Sequence, residues 1–188
     1  MAEMIAIGVL GSEGRLAPQA PRPMLPHAGA SGDPNVPVPV PRTAVVAPTV
    51  LNEAYDYPKP SSFTRGLRFD IGDKSMILIS GTASVDEAGL TAHVGDFRAQ
   101  LWRTYRNISA LLASEGATWH DIVRTTCYLR DIERDYKDFN EVRTAFFAWL
   151  GLEPLPASTA IQARICREDL LVEIEAIALV ERGRRART

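Results

Sequence analysis

Two carboxylates, Glu173 and Glu175, stand two residues apart in the run VEIEAIALV (172–180). Side chains alternate along a strand, so both acids share a face with Ile177 and Leu179, and Val172, Ile174, Ala176, Ala178 and Val180 share the other. The preceding run ASTAIQARI (157–165) alternates in the same way, with Ser158, Ala160, Gln162 and Arg164 on one face. A turn centred on Arg167 to Leu170 would set Arg164 opposite Glu173 and Gln162 opposite Glu175. Two readings follow. Arg164 and Glu173 form an ordinary cross-strand ion pair worth less than about 1 kcal/mol. Alternatively, a face that mixes small residues, aliphatics and charges lines a pocket or a subunit interface, where a carboxylate can exchange protons with a ligand or water.

The other reactive residue types offer less. Cys127 and Cys166 make neither a disulfide framework nor a CxxC motif, and His27, His93 and His120 lack metal-ligand spacing. No metal site is expected from these spacings. Cys127 falls inside a core strand and reads as packing. Cys166 falls in the turn, with no histidine placed to activate it.

The elements that must position these groups begin after residue 52. SFTRGLRFDIG and KSMILISGTASV read as two strands around a turn at Gly72 and Asp73, with a third short strand around Leu90 to His93. DFRAQLWRTYRNISALLASEG is an amphipathic helix with Phe97, Leu101, Tyr105, Ile108 and Leu112 on its buried stripe. Asp96 is its N-cap and Gly116 its C′ residue. DIVRTTCYLRD is a strand, and RDYKDFNEVRTAFFAWLG is a second helix with Tyr136, Phe139, Val142, Phe146 and Leu150 on one stripe. Gly151 ends that helix, and Pro154 and Pro156 forbid its continuation. This order predicts an α+β domain with a mixed sheet and both helices on one face.

Eleven of the thirteen prolines precede Ser61, which predicts a largely disordered arm over residues 1–52, a domain over 53–182 and a basic tail over 183–188. A net charge of -2 gives no support to nucleic-acid binding. No apolar run is long enough for a bilayer, and MIAIGVLG lacks the basic flank of a signal peptide, so the cytoplasm is the expected compartment.

The stretches ISGTASV, ALLASEGATWHDIVRTTCYLRDI, FNEVRTAFF and PLPASTAIQARICREDLLVEIEAIA resemble the Rid family, the reactive-intermediate deaminases also called YjgF-like or L-PSP proteins. The resemblance runs from about Ser61 to Val180. It implies the Rid/chorismate-mutase-like fold, a six-stranded mixed sheet with two helices on one face. It also implies a barrel-like homotrimer whose sheets line the interior, with clefts between subunits. Members of the active type hydrolyse enamines and imines to 2-keto acids and ammonia without a cofactor.

By that resemblance Glu173 is the catalytic glutamate, which orients or activates water. The family's carboxylate-gripping arginine is here Ser158, which offers a neutral hydroxyl; losing such a charged hydrogen bond costs roughly 1.5–3 kcal/mol. The cleft tyrosine is here Phe63. Asn140 opens the Asn-Glu-Val of the second helix, and the tyrosine that often follows it is Arg143. Arg143 is either the relocated cation or an exposed helix residue. Gly81 and Thr82 match the loop that closes one side of the cleft, and Cys166 lies at its rim.

The resemblance thus implies a small carboxylate ligand, with Ser158 arguing against standard deaminase activity. ISGTASV, HVGDFRAQLWRTYRNI and PAST are also similar to the catalytic half of chorismatases, which would imply a hydrolase of chorismate. A non-catalytic trimer that binds a carboxylated metabolite, or simply stabilises a partner as a scaffold, is a third reading.

Overall fold

The computed structural model describes residues 40–57 and 61–186. The chain divides after Val40, and everything below concerns the compact unit from Pro41 onward. The expected arm falls outside the described residues as far as Pro39. Its remaining part is built into the domain. β1 (Arg42–Ala44) pairs with β2 (Gly66–Ile71), and Val45, Ala47 and Leu51 are buried. Pro41 and Pro48 flank β1 at the sheet margin, where a missing N–H breaks no ladder bond.

The other strands are β3 (Lys74–Ala83), β4 (Ile122–Leu129), β5 (Ala157–Gln162) and β6 (Val172–Glu181). They form one six-stranded sheet in the order β1-β2-β3-β6-β4-β5, mixed because β4 and β5 run parallel. Ile71 faces Lys74, so Gly72 (φ 60°) and Asp73 make the two-residue hairpin turn that the sequence predicts.

The expected hairpin between the last two strands does not form. β5 pairs with β4, and β6 lies between β3 and β4, so Arg164 is not opposite Glu173. The chain order explains this. β4, the following helix and β5 make a crossover unit, which returns the chain parallel to β4. Both edges of β6 are then occupied by β3 and β4. The strand expected at Leu90 to His93 is also absent, reduced to one bridge between Val85 and Thr91. Gly89 (φ 82°), His93 (φ 59°) and Gly95 (φ 82°) curl this segment into a loop. The sixth strand is therefore β1.

α1 (Phe97–Ser114) and α2 (Ile132–Leu150) cover one face. Asp96 accepts a hydrogen bond from the Ala99 amide at 2.9 Å, and all five expected stripe residues of α1 are buried. In α2 the inward spacing is Asp135, Phe139, Val142 and Phe146, so Tyr136 is 48% exposed rather than part of the stripe. Tyr105 stacks on Phe146 at 4.4 Å between ring centroids, with Trp119 edge-on at 5.4 Å, and this cluster joins the helices. Beneath them lie Val172, Ile174, Ala176, Ala178 and Val180 of β6, all buried.

Candidate active site

Glu173 projects from the centre of the sheet on the face away from the helices, with Ala83 of β3 and Tyr128 of β4 as its cross-strand neighbours. Opposite it, β3 bulges between Ile79 and Thr82. Gly81 sits in that bulge, and a Cβ there would lie 2.0 Å from Glu173 Oε1. The missing side chain leaves room for the carboxylate to lie over the Gly81 backbone in this position. Glu173 is half-buried and accepts no hydrogen bond among the described residues. Burial raises its pKa above the ordinary value of 4.5, the Glu175 carboxylate adds to the rise, and Arg65 opposes it. Such a group exchanges a proton more readily near neutral pH than an ordinary surface glutamate.

A cavity of about 440 Å³ opens beside it, lined by Tyr57, Phe63, Arg65, Gly81, Cys166, Arg167 and Glu173 among others. A second hollow of about 350 Å³ shares Gly81, Cys166, Glu173 and Glu175 and adds Tyr128 and Arg164. Buried polar side chains fix the loops around both. The Gln100 amide donates to His93 O at 3.2 Å and Asp169 O at 2.8 Å, and its oxygen accepts from Leu171 N at 2.8 Å. Arg130 donates to the carbonyls of Leu170 (2.6 Å), Ile165 (3.2 Å) and Arg167. Arg167 in turn donates to Gly89 O at 2.6 Å, tying the loop that carries Cys166 to the loop after β3.

Ser158, Asn140 and Arg143 gather elsewhere. The Ser158 hydroxyl accepts from Thr125 at 3.0 Å, and Thr125 is buried beneath the helices. Arg143 donates to Asn140 Oδ1 at 2.6 Å and to Ser158 Oγ at 3.4 Å, with its guanidinium 4.6 Å from the Phe139 ring centroid. Arg143 and Ser158 line a separate hollow of about 540 Å³ between α2 and β5. Within one chain, this group and Glu173 occupy opposite faces of the sheet. Thr82 joins neither: it is buried, and its hydroxyl donates to Ser80 O at 2.8 Å. The chain thus unites Glu173, Gly81, Phe63 and Cys166, and separately Ser158, Asn140 and Arg143.

Tyr57, Arg65 and Arg167 escaped the sequence reading. Tyr57 lies before the expected start of the first strand, and Arg167 lies in a turn, so neither has a periodic neighbour to mark it. The one available signal for Arg65 was an arginine at the mouth of an apolar strand. Among the described residues no group of three or more His, Cys, Asp or Glu is placed to hold a metal ion.

The chain belongs to the family described as Endoribonuclease L-PSP, whose model matches residues 63–180. That is the Rid or YjgF-like group that the sequence resembles. A 2-iminobutanoate/2-iminopropanoate deaminase of Salmonella typhimurium is 32% identical over 111 residues, 58% of this chain and 82% of that one. A 3-aminoacrylate deaminase of Acinetobacter baylyi is 30% identical over 106 residues, 56% of this chain and 80% of that one. The crystal structure of the Escherichia coli YjgF gene product superposes with a TM-score of 0.59 at 26% identity, covering 72% of this chain and 97% of that one.

Proposed function

We propose that three copies assemble so that Glu173 of one faces Arg143 and Ser158 of the next. The shared cleft hydrolyses a small carboxylated imine or enamine. The single observation that carries this reading is the Glu173 carboxylate, desolvated and seated over Gly81 beside a cavity. The outer sheet face supports assembly. Leu67, Leu78 and Ile177 form one cross-strand row, and Phe69, Met76 and Leu179 form the next. All six are partly or fully exposed in the single chain, and an apolar patch of that kind is a contact surface. Assembly also answers the division of the site: only a neighbouring copy can bring a helix-side arginine to the opposite sheet face.

In the reaction, Glu173 takes a proton from water as its oxygen attacks the C=N carbon. Glu173 returns that proton to the nitrogen, giving a carbinolamine; it then carries the hydroxyl proton to the amine, the C–N bond breaks, ammonia leaves and the 2-keto acid forms. Arg143 grips the substrate carboxylate where Ser158 cannot. The two deaminase relatives support this substrate class. A net charge of -2 gives a phosphate backbone little to bind, so a small molecule is preferred over RNA. Both cysteines are free, as a reducing cytoplasm keeps them, and among the described residues no helix is long and apolar enough to cross a membrane.

The test is ammonia release from 2-iminobutanoate generated in situ. The wild type accelerates release over buffer, and Glu173→Gln abolishes the acceleration. Equal rates with and without protein end the catalytic reading. They leave the second one, a trimer that binds a carboxylate without turnover, which the serine at position 158 favours.

A further inference from the structure

Two buried arginines stand three residues apart at the start of β2, and they are treated differently. Arg68 is ion-paired with Glu115 at 3.0 Å and hydrogen-bonded to Ser75 at 3.1 Å, so its charge is spent inside the fold. Arg65 is 5% exposed and takes part in no ion pair among the described residues. Its Nε donates to Asn52 O at 2.9 Å and its Nη2 to the Tyr57 hydroxyl, while Nη1 has no hydrogen-bond partner among the described residues. The guanidinium is wedged between aromatic rings, 5.0 Å from the Tyr57 centroid and 5.3 Å from that of Phe63. The nearby Glu53 carboxylate accepts from the Arg65 backbone amide at 3.1 Å rather than from the guanidinium.

The Glu53 and Glu173 carboxylates offset this buried charge without contacting the guanidinium, so an anion in direct contact would stabilise it further. Arg65 lines the same cavity as Glu173, so an anion can reach it there. Arg167 flanks this place from the other side, its guanidinium 5.9 Å from the Tyr57 ring. The planar fork of an arginine matches a carboxylate, and the hydrogen bonds to Asn52 and Tyr57 fix its direction in advance.

We propose that Arg65, with Arg167 beside it, is a second carboxylate anchor on the Glu173 wall, so that the ligand is a small dicarboxylate. One carboxylate sits on Arg65. The other meets Arg143 of the adjoining copy, and for that second contact the inference rests on the shared cleft proposed above. The volume of about 440 Å³ accommodates a diacid of four or five carbons.

Calorimetric titration of the full chain with succinate and glutarate, against butyrate and valerate, tests this. The wild type binds the diacids about tenfold tighter or more, the gain of one charge-assisted contact. Arg65→Met removes that advantage, so it binds succinate and glutarate no more tightly than butyrate and valerate. Because Arg65 also ties Asn52 and Tyr57, Arg65→Gln serves as a second variant that keeps a donor without the charge. A wild type that does not distinguish the two classes, or variants that keep the full preference, overturns the role of Arg65. Monocarboxylate binding without a diacid gain overturns this inference alone. Failure to bind either class overturns the cleft reading with it.

Discussion

A single methyl group at Gly81 separates position from stability. The added Cβ would lie 2.0 Å from Glu173 Oε1 and 3.0 Å from its Cδ, and the third-nearest atom, Cγ, is already at 3.4 Å. All three atoms belong to one side chain that can rotate away. To reach an ordinary contact of 3.4 Å, the carboxylate oxygen must retreat by about 1.4 Å. Overpacking a rigid core costs roughly 1–3 kcal/mol, but here the obstacle moves, so Gly81→Ala costs less than about 1 kcal/mol. For a domain of this size that is a fall in melting temperature of roughly 2–4 °C. A misplacement of about 1 Å in a reacting group costs on the order of 10²-fold in rate. Ammonia release from 2-iminobutanoate should therefore drop about a hundredfold while the melting temperature falls by no more than about 2–4 °C. The double variant with Glu173→Gln should be no slower than Glu173→Gln alone, because both changes act on one carboxylate. A Gly81→Ala protein within about threefold of wild-type rate would refute the claim that this glycine fixes the position of Glu173.

Two further outcomes follow from the same geometry. The folded pKa of Glu173 lies above 4.5, so the native state holds this proton more tightly than the unfolded chain. The associated stability is fully present below pH 4.5 and is lost as pH rises through the folded value. Glu173→Gln, which stays neutral, should thus melt higher than wild type at pH 7, with the gap closing towards pH 4; a gap that does not change with pH contradicts the burial of this charge. Gln100→Ala leaves the Asp169 carbonyl and the Leu171 amide without their partner, while the His93 carbonyl keeps the Asp96 amide at 3.1 Å. It should lower stability by about 2–4 kcal/mol in urea denaturation, and a loss under about 1 kcal/mol would mean those loops are held by something else.

The helices were legible because their signals are local. The Asp96 cap, the glycines that follow each helix and the stripe of α1 depend only on neighbours in sequence. The inward and outward faces of β6 were legible for the same reason, since alternation does not depend on which strand is adjacent. Pairing partners were not. Arg164 and Glu173 lie nine residues apart in sequence, yet the crossover through α2 puts β5 on the far side of β4, a long-range outcome that no turn residue announces. β1 was hidden because prolines at a sheet margin look like those of a disordered arm. At the site, resemblance supplied Glu173, Gly81 and Ser158. The opposite-face placement of Ser158 and Glu173, and the unpaired charge of Arg65, emerge only once the sheet order is known.

The central claim is that Glu173 of one copy works with Arg143 of another, and mixing two crippled chains tests it most directly. Glu173→Gln and Arg143→Met are each inactive at low substrate, and the two are co-expressed in equal amounts. If each cleft combines residues from two copies, about a quarter of all clefts in the mixture carry both intact groups, and ammonia release returns to about that fraction of wild type. Co-expressed chains that remain as inactive as either parent would contradict a site shared between subunits.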